Sequence, residues 1–248
     1  RLAGKKLYQT FGGHLKFFGI GGAKLDRKVE QFLRDAKFPY AIGYGLTETA
    51  PLLAGSNPSQ TKLQAIGPKV IHCELKINNP DPQTGEGEIW AKGENVMLGY
   101  YKNEAQTREV LTEDGWFKTG DLGVYDSKGW LTHKGRLKNM IVGANGENIY
   151  PEEIESLINN FRHVVESIVI EKKGKLVAMV HFNREELEQR IRQMRSDWAS
   201  KMDGKFDEAS AKVDEAVEEL ANELKNYINS QVNKFSRKAS VYVSKMPL

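Results

Sequence analysis

Five residues between positions 43 and 48 have the types and spacing of a phosphate and purine site. Gly43 and Gly45 flank Tyr44, so the backbone can bend tightly and the aromatic ring can lie against a purine face. Thr47 offers a hydroxyl suited to an α-phosphate oxygen. Glu48 offers a carboxylate of the kind that holds Mg²⁺ together with substrate phosphates. The run predicts a nucleotide site with Thr47 and Glu48 as catalytic residues and Glu48 as the metal ligand; a glycine turn with a helix cap is the alternative interpretation.

A second carboxylate, Asp121, follows Thr119 and Gly120 at the end of the run Asp-Gly-Trp-Phe-Lys-Thr-Gly-Asp. We expect Asp121 to lie at the end of a strand. A carboxylate in that place can accept both hydroxyls of a ribose, as acidic residues do in dinucleotide sites. Asp121 is therefore a candidate nucleotide-binding residue, with an aspartate in a turn between strands as the alternative.

The elements that must position these residues begin with a predicted βαβ unit. Residues 14–20 form a strand pattern that runs into a glycine pair, and Asp26 then caps a helix whose apolar residues are Val29, Phe32 and Leu33. Residues 40–43 form a second strand. This order predicts a parallel sheet, with ligands beyond the carboxyl ends of its strands. Two loops leave those ends, residues 21–23 and 43–49.

The rest of the chain divides into three further segments. Residues 66–135 show short alternating runs split by turn residues, which predicts an antiparallel sheet or a small distorted barrel. From Gly135 onward the pattern predicts an α+β region with a helix beginning at Pro151 and a hairpin turning at residues 172–174. Residues 184–232 carry helical apolar spacing and predict two amphipathic helices, as an antiparallel hairpin. The fold class is therefore α/β followed by a small α+β region.

Composition narrows the class of partner and compartment. The 248 residues include 36 Lys and Arg against 33 Asp and Glu, for a net charge of +3, which argues against nucleic acid as a partner. Cys73 is the one cysteine, lies among apolar residues and indicates a reducing compartment, which we expect to be the cytoplasm. The five histidines show no metal-ligand spacing. The acidic residues between 203 and 223 indicate a solvated face, or alternatively an element that contacts a partner or the inner face of a membrane.

Four motifs in one order carry a resemblance to a known family. They are residues 43–49; residues 87–93 with Leu98-Gly99-Tyr100; residues 114–121; and residues 135–141, Gly-Arg-Leu-Lys-Asn-Met-Ile, followed by Gly143 and by Gly-Glu-Asn-Ile-Tyr-Pro at 146–151. Together they resemble the adenylate-forming (AMP-binding) superfamily, over the whole chain except about 184–232. The residues at 116–121 and 147–155 look most like those of long-chain fatty acyl-CoA synthetases.

The resemblance implies a domain layout and further site residues. Residues 1–136 would be the C-terminal part of the large AMP-binding domain, and 137–248 the small mobile domain with a helical hairpin at about 184–232. Gly22 and Ala23 would lie at the adenine and acyl pocket, and Arg136 at the ribose hydroxyls. Lys138 would be the hinge between the domains. A loop on the side of coenzyme A would contain the residues Gly143, Gly146 and Asn148.

The resemblance also implies an activity. A fatty acid, ATP with Mg²⁺, and CoA would be the substrates and cofactors of a ligase that forms first acyl-AMP and then acyl-CoA. The family's phosphate loop and catalytic lysine are not found, so we expect them before residue 1 and after residue 248. We therefore expect a fragment with negligible activity that forms oligomers or swapped dimers. Other acid–CoA or acyl-carrier-protein ligases, a non-catalytic nucleotide-binding relic, and a protein or membrane interaction module remain alternatives.

Overall fold

The computed structural model describes residues 2–143, 146, 148–183, 185–186, 189, 209–231 and 240–244. The chain divides into two compact units, Arg1–Lys138 and Asn139–Leu248, which are described separately below.

The first unit begins with the βαβ arrangement that the sequence predicts. Its elements are helix α1 (Leu2–Thr10), strand β1 (Phe18–Ile20), helix α2 (Arg27–Asp35), strand β2 (Tyr40–Gly45), a 3₁₀ turn (Thr47–Thr49) and strand β3 (Leu52–Gly55). Strands β1 and β2 pair in parallel, which confirms the prediction, and β3 pairs antiparallel to β2. The first strand is shorter than the predicted 14–20. The parallel pair brings the ends of β1 and β2 to one edge of the sheet.

Helix α2 begins where the sequence predicts, and its buried side includes a carboxylate. Asp26 accepts hydrogen bonds from the backbone N–H groups of Lys28 and Val29, so it is the expected cap. Val29 and Phe32 are nevertheless exposed, whereas Leu33 and Glu30 are buried. Only one of the three apolar residues of this helix is therefore buried. Glu30 lies on the buried side of the helix, where its carboxylate needs hydrogen-bond donors in place of water.

Those donors come from two other segments of the unit. Glu30 accepts the Tyr40 hydroxyl at 2.9 Å and both the backbone N–H and the side-chain amide of Gln64, at 2.8 and 2.7 Å. A buried carboxylate is stable only when such hydrogen bonds replace water. The network therefore fixes which side of α2 turns inward and holds the loop around residue 64 against the sheet.

A four-stranded antiparallel sheet forms the second half of this unit and confirms the prediction for residues 66–135. Its strands are β4 (Cys73–Asn78), β5 (Gly87–Gly93), β6 (Phe117–Tyr125) and β7 (Leu131–Arg136), in that order, and helix α3 (Glu104–Val110) lies between β5 and β6. One face packs around Ile89, Ala91 and Leu131, together with Cys73, which is buried as expected. This sheet carries the third motif on β6 and the start of the fourth on β7.

The second unit contains the predicted α+β elements. Strands β8 (Ile141–Val142) and β9 (Asn148–Ile149) form a small ladder. Helix α4 (Pro151–Asn159) begins with proline at its first turn, as predicted. Strands β10 (Val164–Lys172) and β11 (Lys175–Phe182) form the expected hairpin. Lys173 and Gly174 make its turn with φ of 53° and 71°, which matches the twist of the flanking strands.

The predicted helical hairpin at 184–232 is described only in its second half. Its first helix, with Leu187, Ile191, Met194 and Trp198, lies outside the described residues. Helix α5 (Ala209–Gln231) is present, and strand β12 (Ser240–Ser244) pairs in parallel with β11. The apolar stripe of α5 is not a free surface. It belongs to the core of the unit, with the side chains of Val217, Leu220, Leu224 and Ile228 packed among those of α4, β10 and β11.

Candidate active site

A large open cleft in the first unit gathers residues from all four motifs. Its volume is about 1350 Å³. The residues predicted as catalytic, Thr47 and Glu48, line this main cleft together with Arg136 and Lys138. The cleft lies where β1 and β2 end, as a parallel pair predicts. A small pocket of about 180 Å³ opens from the same region and shares Gly22, Gly43, Tyr44, Gly45 and Arg136 with the main cleft.

The small pocket contains the carboxylate that the sequence singled out. Asp121 is 5% exposed, and Ala23 lies on the same pocket wall. The Tyr44 hydroxyl donates to Asp121 Oδ2 at 2.9 Å. On the other carboxylate oxygen, Oδ1, two nitrogens converge: His133 Nε2 at 3.6 Å and Arg136 Nε at 3.7 Å. One oxygen of Asp121 is thus hydrogen-bonded within the protein, while the other lies within 3.7 Å of two nitrogen atoms.

Tyr44 has a structural partner as well as a place at the pocket. It is 9% exposed, and its ring lies 5.7 Å from the His133 ring at an angle of 38°. Burial raises the pKa of the Tyr44 phenol above its usual value, and the negative charge of Asp121 raises it further. The phenol therefore stays a neutral donor that orients the Asp121 carboxylate.

Asp121 lies inside a strand, so the expectation of a strand end was wrong. Strand β6 continues to Tyr125, but its register with β5 shifts between Lys118 and Leu122. Within that irregular stretch Gly120 has φ of +72°, and the Thr119 hydroxyl donates to the Ile89 carbonyl at 2.7 Å. A bulge of this kind turns a side chain out of the regular alternation. It turns Asp121 into the small pocket.

The region of Gly43 to Gly45 is also strand rather than loop. All three residues belong to β2, and the chain leaves the sheet only at residue 46. A Cβ on Gly45 would come within 1.6 Å of the Pro51 carbonyl oxygen, so no larger residue fits there without moving the backbone. Gly45 therefore serves close packing of β2 on the return strand. Gly22 differs: its φ is +81°, and a Cβ there would meet no atom within 4 Å.

Glu48 is held in the main cleft by a residue to which the sequence assigned no role. The Tyr100 hydroxyl donates to Glu48 Oε1 at 3.0 Å, and the backbone N–H of Met97 donates to the Glu48 carbonyl at 2.8 Å. Burial, and then the bond to Glu48, raise the pKa of the Tyr100 phenol. Thr47 is exposed to the cleft beside them. Tyr100 belongs to the second motif, so this contact joins two motifs in one place.

The predicted hinge and loop residues lie around the boundary between the units. Lys138 is exposed and is the last residue of the first unit, where the Leu137 N–H donates to the Gly120 carbonyl at 2.8 Å. Gly143, Gly146 and Asn148 belong to the second unit. There Gly146 has φ of +78°, and its N–H donates to the Gly143 carbonyl. Their proposed roles toward a hinge and CoA stay predictions.

His133 was missed because the sequence was searched for metal spacing. The spacing gave no signal for it: His133 and Arg136 lie three apart on one strand, next to the strand that carries Asp121. In a regular strand these two side chains would point to opposite faces. In the pairing of β7 with β6, His133 and Gly135 face consecutive residues of β6, and Lys134 between them has no partner. This bulge brings the side chains of His133 and Arg136 to the same side of the sheet.

The described residues lack two other kinds of feature. They contain no group of three or more His, Cys, Asp and Glu side chains placed to hold a metal ion. A metal in the main cleft would therefore rely on Glu48 and on the phosphates of a substrate, which is a common arrangement for Mg²⁺. Among the same residues, no helix has the length and apolar character needed to cross a membrane.

An α/β sheet edge with a buried carboxylate, a glycine-flanked tyrosine and a wide cleft places the protein in the mixed α/β class, with a candidate ligand site at that edge. Comparison with known proteins narrows this class. The family model described as "AMP-binding enzyme" matches residues 2–101. The chain belongs to this adenylate-forming family.

Two relatives and one solved structure illustrate the similarity. Long-chain-fatty-acid–CoA ligase 1 of Saccharomyces cerevisiae is 34% identical over 69% of this chain and 25% of its own length. The chloroplastic long-chain-fatty-acid–[acyl-carrier-protein] ligase AEE15 of Arabidopsis thaliana is 36% identical over 75% of this chain and 28% of its own length. The structure of O-succinylbenzoate coenzyme A synthetase from Bacillus subtilis, in complex with ATP and magnesium ion, has a TM-score of 0.70 and 26% identity. The matched region covers 97% of this chain and 46% of the Bacillus subtilis chain. The chain thus spans about a quarter of the length of these curated relatives.

Proposed function

We propose that this chain forms the adenosine side of the active site, and the hinge, of an ATP-dependent long-chain fatty acid–CoA ligase. The observation that carries the proposal is the convergence of Thr47, Glu48, Tyr44, Asp121 and Arg136 on two adjoining pockets of one unit. They come from three stretches of the sequence, residues 44–48, Asp121 and Arg136, and the fold brings all three stretches to the same region of the unit.

In the proposed reaction the carboxylate of the acid attacks the α-phosphorus of ATP, forming acyl-AMP and releasing pyrophosphate. The thiolate of CoA then attacks the acyl carbon and AMP leaves. Asp121 accepts the ribose hydroxyls, and Arg136 adds donors beside it. The Thr47 hydroxyl donates to an oxygen of the α-phosphate, whose charge increases as the bond forms.

Glu48 provides the metal side of this chemistry. Its carboxylate lines the main cleft and is oriented by the Tyr100 hydroxyl, which suits it to hold Mg²⁺ jointly with substrate phosphates. A magnesium ion bound there would neutralise charge on the phosphate oxygens. On the second unit, we propose that the loop containing Gly143, Gly146 and Asn148 lies on the CoA side, and that Lys138 is the hinge.

The proposal of a long-chain substrate rests on the names of the relatives more than on the shape of the pocket. The yeast and Arabidopsis relatives carry long-chain fatty acid in their names, whereas the Bacillus subtilis neighbour is named for succinylbenzoate. The decisive measurement is acyl-CoA formation by the longer parent protein, with acids from acetate to oleate. A maximum at long chains supports the proposal. A maximum with short or aromatic acids keeps the mechanism and refutes the substrate.

Nucleotide binding can be tested on the 248-residue chain itself. We expect isothermal titration calorimetry to detect AMP binding, and Asp121→Asn to weaken it at least tenfold, because a neutral amide oxygen is a poorer acceptor for two hydroxyls. Glu113→Gln is the matched control, since Glu113 is an exposed acid of the same sheet region. If Asp121→Asn binds AMP as tightly as the wild type, the proposed role of the small pocket is wrong.

A further inference from the structure

The Oδ1 oxygen of Asp121, a residue that lines the small pocket, has two nitrogen neighbours rather than one. His133 Nε2 lies 3.6 Å and Arg136 Nε lies 3.7 Å from Oδ1. Both distances exceed a good hydrogen bond, so neither nitrogen satisfies this oxygen directly. Oδ2 is different, because the Tyr44 hydroxyl already donates to it. The carboxylate is therefore oriented at one end and still has acceptor capacity at the other.

The two gaps have the dimensions of a bridging hydroxyl. An oxygen atom can lie about 2.8 Å from each of two atoms that are 3.6 Å apart, and it then makes a hydrogen bond of normal length to both. A hydroxyl in that place donates its proton to Asp121 Oδ1 and accepts from the nitrogen. The carboxylate oxygen has two lone pairs, so it can serve one such hydroxyl beside His133 and another beside Arg136.

From this geometry we propose that His133 determines specificity for ribose, by holding one hydroxyl of a vicinal pair while Arg136 holds the other. This inference rests on the proposed nucleotide function and assigns a new residue within it. Three further observations support it. His133 lines the small pocket with Asp121 and Arg136, its ring packs beside the Tyr44 ring, and the skipped residue Lys134 turns it to the side of Arg136.

The test combines a substitution in the protein with the removal of a hydroxyl from the ligand, and titration calorimetry on the 248-residue chain measures the affinity of each combination. The ligands are AMP, 2′-deoxy-AMP and 3′-deoxy-AMP, and the variant is His133→Phe, which keeps an aromatic ring beside Tyr44 but removes the nitrogen. We expect AMP binding to weaken about fivefold, the usual effect of one hydrogen bond. With one of the two deoxynucleotides the same substitution should have no effect, because the hydroxyl that His133 contacts is already absent.

Two further variants separate recognition from packing. His133→Gln retains an N–H donor and should recover part of the affinity for AMP, and near-ultraviolet circular dichroism checks that each variant is folded. His14→Gln is the control, because His14 is exposed in the same unit. Equal weakening of all three nucleotides by His133→Phe, or no weakening, would overturn this inference alone. Failure of the wild-type chain to bind AMP would overturn the proposed function together with it.

Discussion

The hydrogen bond from Tyr44 to Asp121 gives the sharpest test of the site's construction. Tyr44→Phe removes one oxygen and leaves the ring in place. The bond is 2.9 Å long, buried and made to a carboxylate. Bonds of that type contribute about 1.5–3 kcal/mol, and Asp121 is only 5% exposed. We expect the free energy of unfolding of the first unit to fall by about 2 kcal/mol.

Urea denaturation followed by tryptophan fluorescence measures this change. Three tryptophans lie in the first unit, at positions 90, 116 and 130. With a slope of about 2 kcal/mol per molar urea, the midpoint should move down by about 1 M. The matched control is Tyr101→Phe, since Tyr101 is 89% exposed and should change the midpoint very little. If the two variants have the same midpoint, the Tyr44 hydroxyl does not stabilise the folded state, and the reasoning about Asp121 fails with it.

Three other predictions concern packing and pH. Gly45→Ala should destabilise the first unit by about 3 kcal/mol or more, because the added Cβ clashes with a backbone carbonyl oxygen. Gly21→Ala is the control, since its nearest contact would be at 3.4 Å, and it should cost less than about 1 kcal/mol. Thermal melts of the two variants measure this difference. Leu224→Ala should cost about 2–5 kcal/mol because Leu224 is fully buried in the second unit, and equal stability of Leu224→Ala and the exposed Lys225→Ala would refute a core role for α5. Burial raises the pKa of Tyr125 to about 12, so its phenol stays neutral in the folded state but ionises near pH 10 in the unfolded state. The free energy of unfolding should therefore fall as the pH rises from 10 to 12. Urea midpoints measured over that range should fall less steeply in Tyr125→Phe.

The sequence predicted those parts of the fold that depend on local chemistry. The Asp26 cap, the proline at the start of α4 and the turn at Lys173 and Gly174 each depend on a few adjacent residues, and all three were confirmed. The parallel pair of β1 and β2 followed from the order of elements alone. Cys73 was expected in the core from its apolar neighbours, and it is buried.

The errors arose where distant contacts override local patterns. Nothing around Glu30 indicates that Tyr40 and Gln64 supply its donors, so its burial could not be predicted from the sequence of α2. The Tyr100 to Glu48 contact joins residues 52 positions apart. The irregular registers at Asp121 and Lys134 depend on how strands pair, and strand pairing is not encoded in the spacing of one strand. The small pocket depends on both irregularities.

The skipped residue of β7 has a consequence for anyone who transplants or aligns this site. Lys134 lies outside the small pocket and forms an ion pair with Glu86. If Lys134 paired regularly with β6, the parity of the strand would change, and His133 and Arg136 would lie on opposite faces of the sheet. The bulge at Lys134 therefore does the same for the pocket as a spacing of two residues would do in a regular strand. A design that copies every pocket side chain but straightens this bulge would reproduce the composition of the site and lose its geometry.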